Sequence, residues 1–221
     1  MLTANSDINT AYEYLYSKGR PRIALKFAQK AYEENPKDIL AIHMYAVALY
    51  YNKQYKNALK YFYIVENAGK SLAEVYVYIA KCHSLLRENL FLGLKYINNA
   101  LENYNFSDEL LSQNLIIKGE IMYKLGEIDA ALGLFLEAHE LGDMNEALCY
   151  ISQIYFEKNQ PILAVKYFYK IFNYADFDIE CLSYQEIKAL LTVSLNQFET
   201  SKYKKTISKD LVERLEEKVF L

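Results

Sequence analysis

Apolar and small residues recur along this chain at helical spacing, and the helices they predict come in pairs. From Leu125 to Ala138 it reads LGEIDAALGLFLEA: a turn glycine, an acidic start, then Ala131, Phe135 and Ala138. Positions i, i+4 and i+7 share one face of an α-helix. The triad recurs as Ala24, Ala28 and Ala31; as Ala58, Phe62 and Val65; as Gly93, Ile97 and Ala100; and as Ala164, Phe168 and Ile171. Its first members are separated by 34, 35, 38 and 33 residues. Twelve or thirteen positions upstream stand Tyr12 (a departure), Ala46, Ala80, Gly119 and Ser152. Small residues at these points let two antiparallel helices approach closely.

The pattern predicts five helix pairs: Ala4–Ser17 with Arg20–Glu34, Ile39–Asn52 with Gln54–Ala68, Ser71–Leu86 with Asn89–Asn103, Asp108–Lys124 with Glu127–Leu141, and Asn145–Lys158 with Pro161–Asn173. Ser107 is placed to cap the seventh helix, and Asp108 and Glu109 suit a helix start. Pro161 suits a first helical turn. After YADFD the repeat fades. Ile179–Glu199 and Lys202–Leu221 still read as helices, the last with an apolar stripe of Tyr203, Ile207, Leu211 and Leu215. A stack of repeats needs an end piece with one polar face, and these two helices are read as a degenerate repeat plus cap.

Period, small-residue positions and turn residues together resemble the tetratricopeptide repeat, a helix-turn-helix unit of about 34 residues, over Asp7 to Asn173. The turn glycine stands at Gly19 and Gly126, and is replaced by Lys53, Asn89 and Asn159. The closing proline appears once, at Pro36, and the family's tryptophan is absent. The resemblance implies an all-α, right-handed superhelical solenoid. It implies one domain over 1–221, with repeats near 4–36, 38–69, 71–104, 108–142 and 144–174 and a cap over 179–221.

Composition adds little to the fold and removes several functions. The 22 tyrosines beside 11 phenylalanines are the outlier. Tyr suits half-wet surfaces, but AT-rich codons also raise Tyr, so the count alone argues for nothing. The net charge of -3 and the lack of a long basic block argue against nucleic acid. The longest apolar run, Ala41 to Tyr51, is too short for a membrane span. Cys82, Cys149 and Cys181 form no CxxC pair, which predicts free thiols in a reducing compartment. No leader is visible in MLTANSDINT. The expectation is a cytoplasmic protein, or a nuclear one in a eukaryote.

Catalytic motifs are missing too. His43, His83 and His139 lie in no metal-binding spacing, and read as solvated or edge-packed rings. There is no GxGxxG, GxxxxGK[ST] or GxSxG, and the carboxylates fall on polar helix faces. No cofactor, metal or enzymatic activity is expected.

The resemblance implies that the first helices of the pairs line a concave face where partner segments lie. The matching residues include Asn9, Glu13 and Tyr16; His43, Val47, Tyr50 and Tyr51; Val77, Tyr78, Lys81 and Leu85; Gln113, Ile116, Ile117, Glu120 and Tyr123; and Cys149, Tyr150, Gln153 and Phe156. Family members that grip a chaperone's terminal carboxylate use paired Lys and Asn side chains there. The matching pairs here are Asn9/Glu13, His43/Val47 and Val77/Lys81, so that clamp is absent. An aromatic, sparsely charged groove suits an apolar or amphipathic segment. The expected role is a scaffold holding such a segment through Tyr16, His43, Tyr50, Tyr51, Tyr78, Lys81, Ile117, Glu120, Tyr123, Tyr150, Gln153 and Phe156. Two other roles stay open. One is a structural subunit of a multiprotein assembly, like those of the anaphase-promoting complex, or a homodimer joined through its terminal helix or convex face. The other is a cytosolic secretion chaperone. The twice-repeated KYFY, at Lys60–Tyr63 and Lys166–Tyr169, either fills gaps between repeats or forms a convex patch.

Overall fold

Why each helix stops where it does is visible at the turns. The computed structural model describes residues 2–69, 73–142 and 145–160, with 163, 164, 166, 167 and 170. Among them, helix α1 (Leu2–Tyr12) runs into a widened turn (Glu13–Ser17), followed by α2 (Pro21–Glu34), α3 (Ile39–Tyr51), α4 (Tyr55–Asn67), α5 (Ala73–Leu86), α6 (Leu90–Asn103), α7 (Asp108–Lys124), α8 (Ile128–Leu141) and α9 (Asn145–Glu157). The described ends of α2–α9 lie within two residues of the ranges read from the sequence. No strand occurs among the described residues. The predicted partner of α9 is described only in part, and the predicted helices beyond 179 lie outside the described residues.

Four of the pair-closing turns place a residue in the left-handed region seven positions after the small residue of the first helix. These are Lys53 (φ 61°) after Ala46, Arg87 (φ 52°) after Ala80, Gly126 (φ 88°) after Gly119, and Asn159 (φ 55°) after Ser152. The third turn differs from expectation. Arg87, not Asn89, holds the position matched by spacing, and Asn89 (φ 51°) is a second left-handed residue at the start of α6. A non-glycine residue there costs about 1–2 kcal/mol, against roughly 0.5–1 kcal/mol of extra chain entropy lost by glycine. Lys53→Gly is therefore expected to stabilise the chain by about 0.5–1 kcal/mol in urea denaturation.

The first pair breaks this spacing, and the widened turn shows how. Ala11, not Tyr12, is the fully buried small residue of α1. It stands eight positions before Gly19 (φ 58°) instead of seven. The extra residue is absorbed where the Lys18 N–H reaches back five residues to the Glu13 carbonyl, at 3.1 Å. One such wide turn holds a single inserted residue within an otherwise regular helix. The apparent departure at Tyr12 is thus a one-residue insertion, and Tyr12 itself points to solvent at 58% exposure.

The chain divides into two compact units. The first comprises Met1–Phe106 and Glu120–Glu127. In it α1 packs on α2, α2 on α3, α3 on α4, α4 on α5, and α5 on α6, so neighbours in sequence are neighbours in space. Its core is the face marked by the triads: Ala24, Ala28, Ala31, Ala58, Phe62, Val65, Ile97 and Ala100 are all fully buried. Helix α3 carries apolar residues nearly all round, and its buried set runs from Ala41 to Leu49. A helix buried on several sides needs no polar stripe. Tyr14 stacks on Phe27, and Tyr32, Tyr45 and Tyr61 form a cluster with centroids 4.9–5.3 Å apart. The first KYFY therefore fills gaps between helices, since Tyr61 joins that cluster and the Tyr63 hydroxyl lies 2.8 Å from His83 Nε2. For the second KYFY, the described Tyr167 stacks on Tyr155 at 5.5 Å.

The second unit is built, among the described residues, from Ser107–Gly119 and the helices after Ile128. Ser107 sits at the head of α7, with its hydroxyl 3.5 Å from the Leu110 N–H and its carbonyl accepting from Leu111 at 2.8 Å. Buried Ser112 donates to the Ala138 carbonyl at 2.7 Å, tying α7 to α8. Gly119 lies so close to α8 that an added Cβ would stand 2.7 Å from the Phe135 ring. Ala131, Phe135, Ala138 and Ala164 are fully buried. Cys82 is a free buried thiol, but Cys149 is disulfide-bonded, so the expectation of free thiols throughout does not hold at Cys149.

Candidate functional site

The first helices of the pairs bring an aromatic cluster to the surface of the first unit. Tyr12 and Tyr16 project side by side from the widened turn, with centroids 4.6 Å apart. Tyr16 meets Tyr51 of α3 edge-on at 5.9 Å and 84°. Tyr51 is perpendicular to Tyr50 at 5.4 Å, and Tyr50 leans on Tyr78 of α5 at 5.0 Å. Tyr78 in turn stacks flat on core Phe62, at 5.1 Å and 7°. A continuous run of rings thus connects core to solvent. Edge-to-face and offset stacks of this kind each add about 0.5–1.5 kcal/mol beyond area burial.

Exposure divides the cluster into a surface and its support. Tyr16 and Tyr51 are 43% and 42% exposed, whereas Tyr78 is 6% exposed. The Tyr16 and Tyr78 hydroxyls meet at 3.4 Å. Burial, opposed by that hydrogen bond, pushes the Tyr16 phenol up to about 12. Burial moves Tyr50 and Tyr78 upward as well. All three stay protonated in ordinary buffers and keep a hydroxyl to donate.

His43 and Lys81 sit half-buried on the same series of helices. His43 Nε2 is buried without a hydrogen bond and stands 3.9 Å from the Glu74 carboxylate, too far for one. Burial lowers the His43 pKa below 6.5, and the Glu74 charge offsets this only in part. Folding therefore favours the neutral ring. Its contribution to stability is present above 6.5 and is lost as pH falls from there toward the folded-state value. His43→Gln is expected to flatten the fall in thermal midpoint below pH 6.5, measured by circular dichroism across a pH series. Lys81 Nζ lies 5.7 Å over the Tyr78 ring.

Glu120 and Tyr123, from the end of α7, belong to the first unit and are half-buried. Glu120 accepts from Ser84 at 2.9 Å, and Lys124 Nζ bridges the Ser84 hydroxyl (2.7 Å), the Ser84 carbonyl (3.2 Å) and Glu120 (3.3 Å). The sequence-expected groove carboxylate is thus held within its own polar knot.

The remaining expected residues lie in the second unit. Ile117 is buried at 6% exposure. Tyr150 is half-buried and stacks flat on Phe135 at 4.5 Å and 1°. Gln153, half-buried, donates to Glu157 at 3.0 Å. Phe156 is half-buried.

One exposed ring joins the first unit's face without having been assigned to it from the sequence, Tyr12 at 58% exposure; Leu85, assigned to the concave face by register, is 44% exposed near the end of α5. Tyr12 was legible in principle from its i, i+4 relation to Tyr16, which places the two rings on one face. The histidines do less than a site would need. His83 is buried, not solvated; Nδ1 is 2.9 Å from the Glu88 carbonyl and Nε2 is 2.8 Å from the Tyr63 hydroxyl, so it fastens the α5–α6 turn. His139 Nε2 lies 3.0 Å from Lys170 Nζ. Among the described residues, no group of three or more His, Cys, Asp and Glu side chains is placed to hold a metal ion. Nor is any described helix long and apolar enough to cross a membrane.

No family model matches the chain, and no curated protein does. Solved structures do. A thermophilic tetratricopeptide-repeat protein of Thermus thermophilus is 20% identical, with a TM-score of 0.66 over 85% of this chain and 99% of that one. YrrB, described as a tetratricopeptide-repeat protein with an unusual peptide-binding site, is 21% identical, with a TM-score of 0.56 over 74% and 82%. Residues 41 to the end of MamA from Desulfovibrio magneticus are 13% identical, with a TM-score of 0.63 over 77% and 94%.

Proposed function

We propose that this chain, which has the tetratricopeptide-repeat fold, is a non-catalytic protein-interaction module, and that the first helices of its first unit hold a segment of a partner protein. The observation that carries this reading is the exposed set Tyr12, Tyr16 and Tyr51, backed by buried Tyr78. Monomeric proteins seldom leave adjacent large aromatic rings in water unless something covers them. Here the rings come from different helix pairs and rest on rigid core, so little ordering entropy would be lost on binding. Affinity would come from apolar partner groups seated against Tyr16, Tyr51 and Leu85, with phenol hydroxyls fixing orientation. YrrB, of the same fold, is described as carrying a peptide-binding site, which supports a peptide-like ligand here.

In this reading His43, Tyr50, Lys81 and Tyr123 line or support the same face, and Ile117, Glu120, Tyr150, Gln153 and Phe156 shape their own surroundings more than they meet a ligand. The test uses immobilised wild-type protein and the Tyr16→Ala/Tyr51→Ala variant, each exposed to lysate of the native cell. Proteins retained by the first and lost by the second are expected, as quantified by mass spectrometry. Equal recovery by both, with helical content unchanged, would remove this face from the function.

A further inference from the structure

We propose that this chain self-associates, with the basic stripe of α2 and α4 in one copy docking on the acidic stripe of α8 in another. The register of the repeats is the first ground. In each second helix, three positions lie two residues before, two after and six after the residue that opens the triad. They are four apart, so they share one face. On α2 they are Arg22, Lys26 and Lys30, and on α4 Lys56, Lys60 and Ile64. On α6 they are Phe91, Lys95 and Asn99. On α8 they are Asp129, Gly133 and Glu137, with Glu140 following on the same side. All are exposed, and a Cβ added at Gly133 would meet nothing within 4 Å. The same surface of the repeat is thus basic in the first two pairs and acidic in the fourth. The sequence around each follows the same division. From 18 to 60, nine Lys and Arg stand against three Asp and Glu; from 102 to 146, ten Asp and Glu stand against two Lys.

Each charged surface is continuous within its own unit. Tyr32 of α2 meets Tyr61 of α4 edge-on at 5.3 Å, and the Asn52 side chain donates to the Pro21 carbonyl at 2.8 Å, which sets α2 and α4 side by side. In the second unit, the bond from Ser112 to the Ala138 carbonyl sets the start of α7, with exposed Asp108 and Glu109, beside the end of α8. The chain answers these charges only in part. Lys30 pairs with Asp7 at 2.8 Å, Lys56 with Glu88 at 2.9 Å, and Asp129 with Lys158. Arg22, Lys26, Lys60, Glu137 and Glu140 have no ion-pair partner among the described residues. Like charges four apart on a helix repel. Arg22 also stands in the first turn of α2 and Glu140 in the last turn of α8, where the helix dipole disfavours those signs. The charge placement therefore works against the isolated helices and is offset when a surface of opposite sign covers it. A second copy carries that complement at the same repeat position, which is the argument for it over any other partner. The contact uses second helices, whereas the tyrosine face stands on first helices, so the two involve different residues.

The test is sedimentation velocity of the full chain over a concentration series, at low salt and at about 0.5 M salt, where surface charges are screened. Mass is expected to rise with concentration at low salt and to fall back to monomer at high salt. Lys26→Glu/Lys60→Glu and Glu137→Lys/Glu140→Lys, all exposed, are each expected to weaken self-association at least about tenfold with helical content unchanged. Mixing these two variants joins an acidic surface to a basic one and is expected to restore a complex that neither forms alone. Tyr16→Ala/Tyr51→Ala is expected to associate as wild type does, which separates this contact from the partner-binding face. A chain that stays monomeric at every concentration would overturn the proposal. So would association that ignores salt and both charge reversals, or a mixture that fails to assemble. Binding of a monomeric chain to phosphatidylserine vesicles, lost in Lys26→Glu/Lys60→Glu, would give the basic surface to a membrane instead and equally overturn it.

Discussion

Phe62→Ala is expected to lower the unfolding free energy by about 3–5 kcal/mol. Phe62 is fully buried and among the largest side chains so enclosed. It stands on the face of α4 that carries Ala58 and Val65, and its ring stacks on Tyr78 at 5.1 Å. Removing it deletes a ring's worth of apolar burial and leaves a cavity flanked by helices α3, α4 and α5. Urea denaturation followed at 222 nm measures the loss, and Phe62→Leu, which keeps most of the volume, should cost under about 1.5 kcal/mol. A loss below about 1 kcal/mol for the alanine variant would place Phe62 outside the core. Because Tyr78 rests on Phe62 and supports Tyr50 and Tyr16, the same substitution should also weaken binding at the tyrosine face. That consequence links the core to the proposed function.

In the second unit, Gly119→Leu is expected to cost about 3 kcal/mol. A Cβ at this position would already lie 2.7 Å from Cε1 and 2.9 Å from Cζ of Phe135. Phe135 cannot yield freely, since it is fully buried and stacked on Tyr150 at 4.5 Å. Leucine adds volume where α7 and α8 leave none, although it is the better helix former by about 1 kcal/mol. Phe135→Ala alone should cost about 3–5 kcal/mol by opening a cavity. Combining the two places new volume beside the void, so the pair should cost less than the sum by about 1–3 kcal/mol. Strict additivity would show that Gly119 and Phe135 do not meet.

The architecture was legible in the sequence because its signal repeats. A triad of small or apolar residues at i, i+4 and i+7 appears five times, and every described member is buried. Steric demand at a helix crossing is local, so residue size reports it directly. The widened turn after α1 was not legible, because a single inserted residue looks like an irregular position: Tyr12 stood where a small residue was due, and Ala11 beside it filled the role. The third turn shows the same limit. Asn is the residue expected in a left-handed conformation, and Arg87 adopts it as well because spacing demands it.

The tyrosine face was legible only in part. Register assigned Tyr16, Tyr51 and Tyr78 to one surface, and the rings do connect. Which rings meet water depends on what neighbouring helices place over them, and no periodicity encodes that. Tyr78 lies flat on Phe62 and is nearly enclosed, while Tyr12 is more exposed than any of the three. The unpaired Glu74 beside neutral His43 was likewise invisible, since the pairing of charges across helices is set by side-chain geometry.

The central claim is that the tyrosine face of the first helices is where a partner binds. Calorimetric titration of a captured partner into wild-type protein, Tyr16→Ala/Tyr51→Ala and Phe91→Ala tests it most directly. Phe91 is the control, 76% exposed at the start of α6, the second helix of its pair. Loss of two aromatic anchors at the centre of an interface should weaken affinity by about 2 kcal/mol or more, roughly thirtyfold, with Phe91→Ala unchanged. Undiminished affinity in the double variant, or a larger loss in Phe91→Ala, would contradict the account.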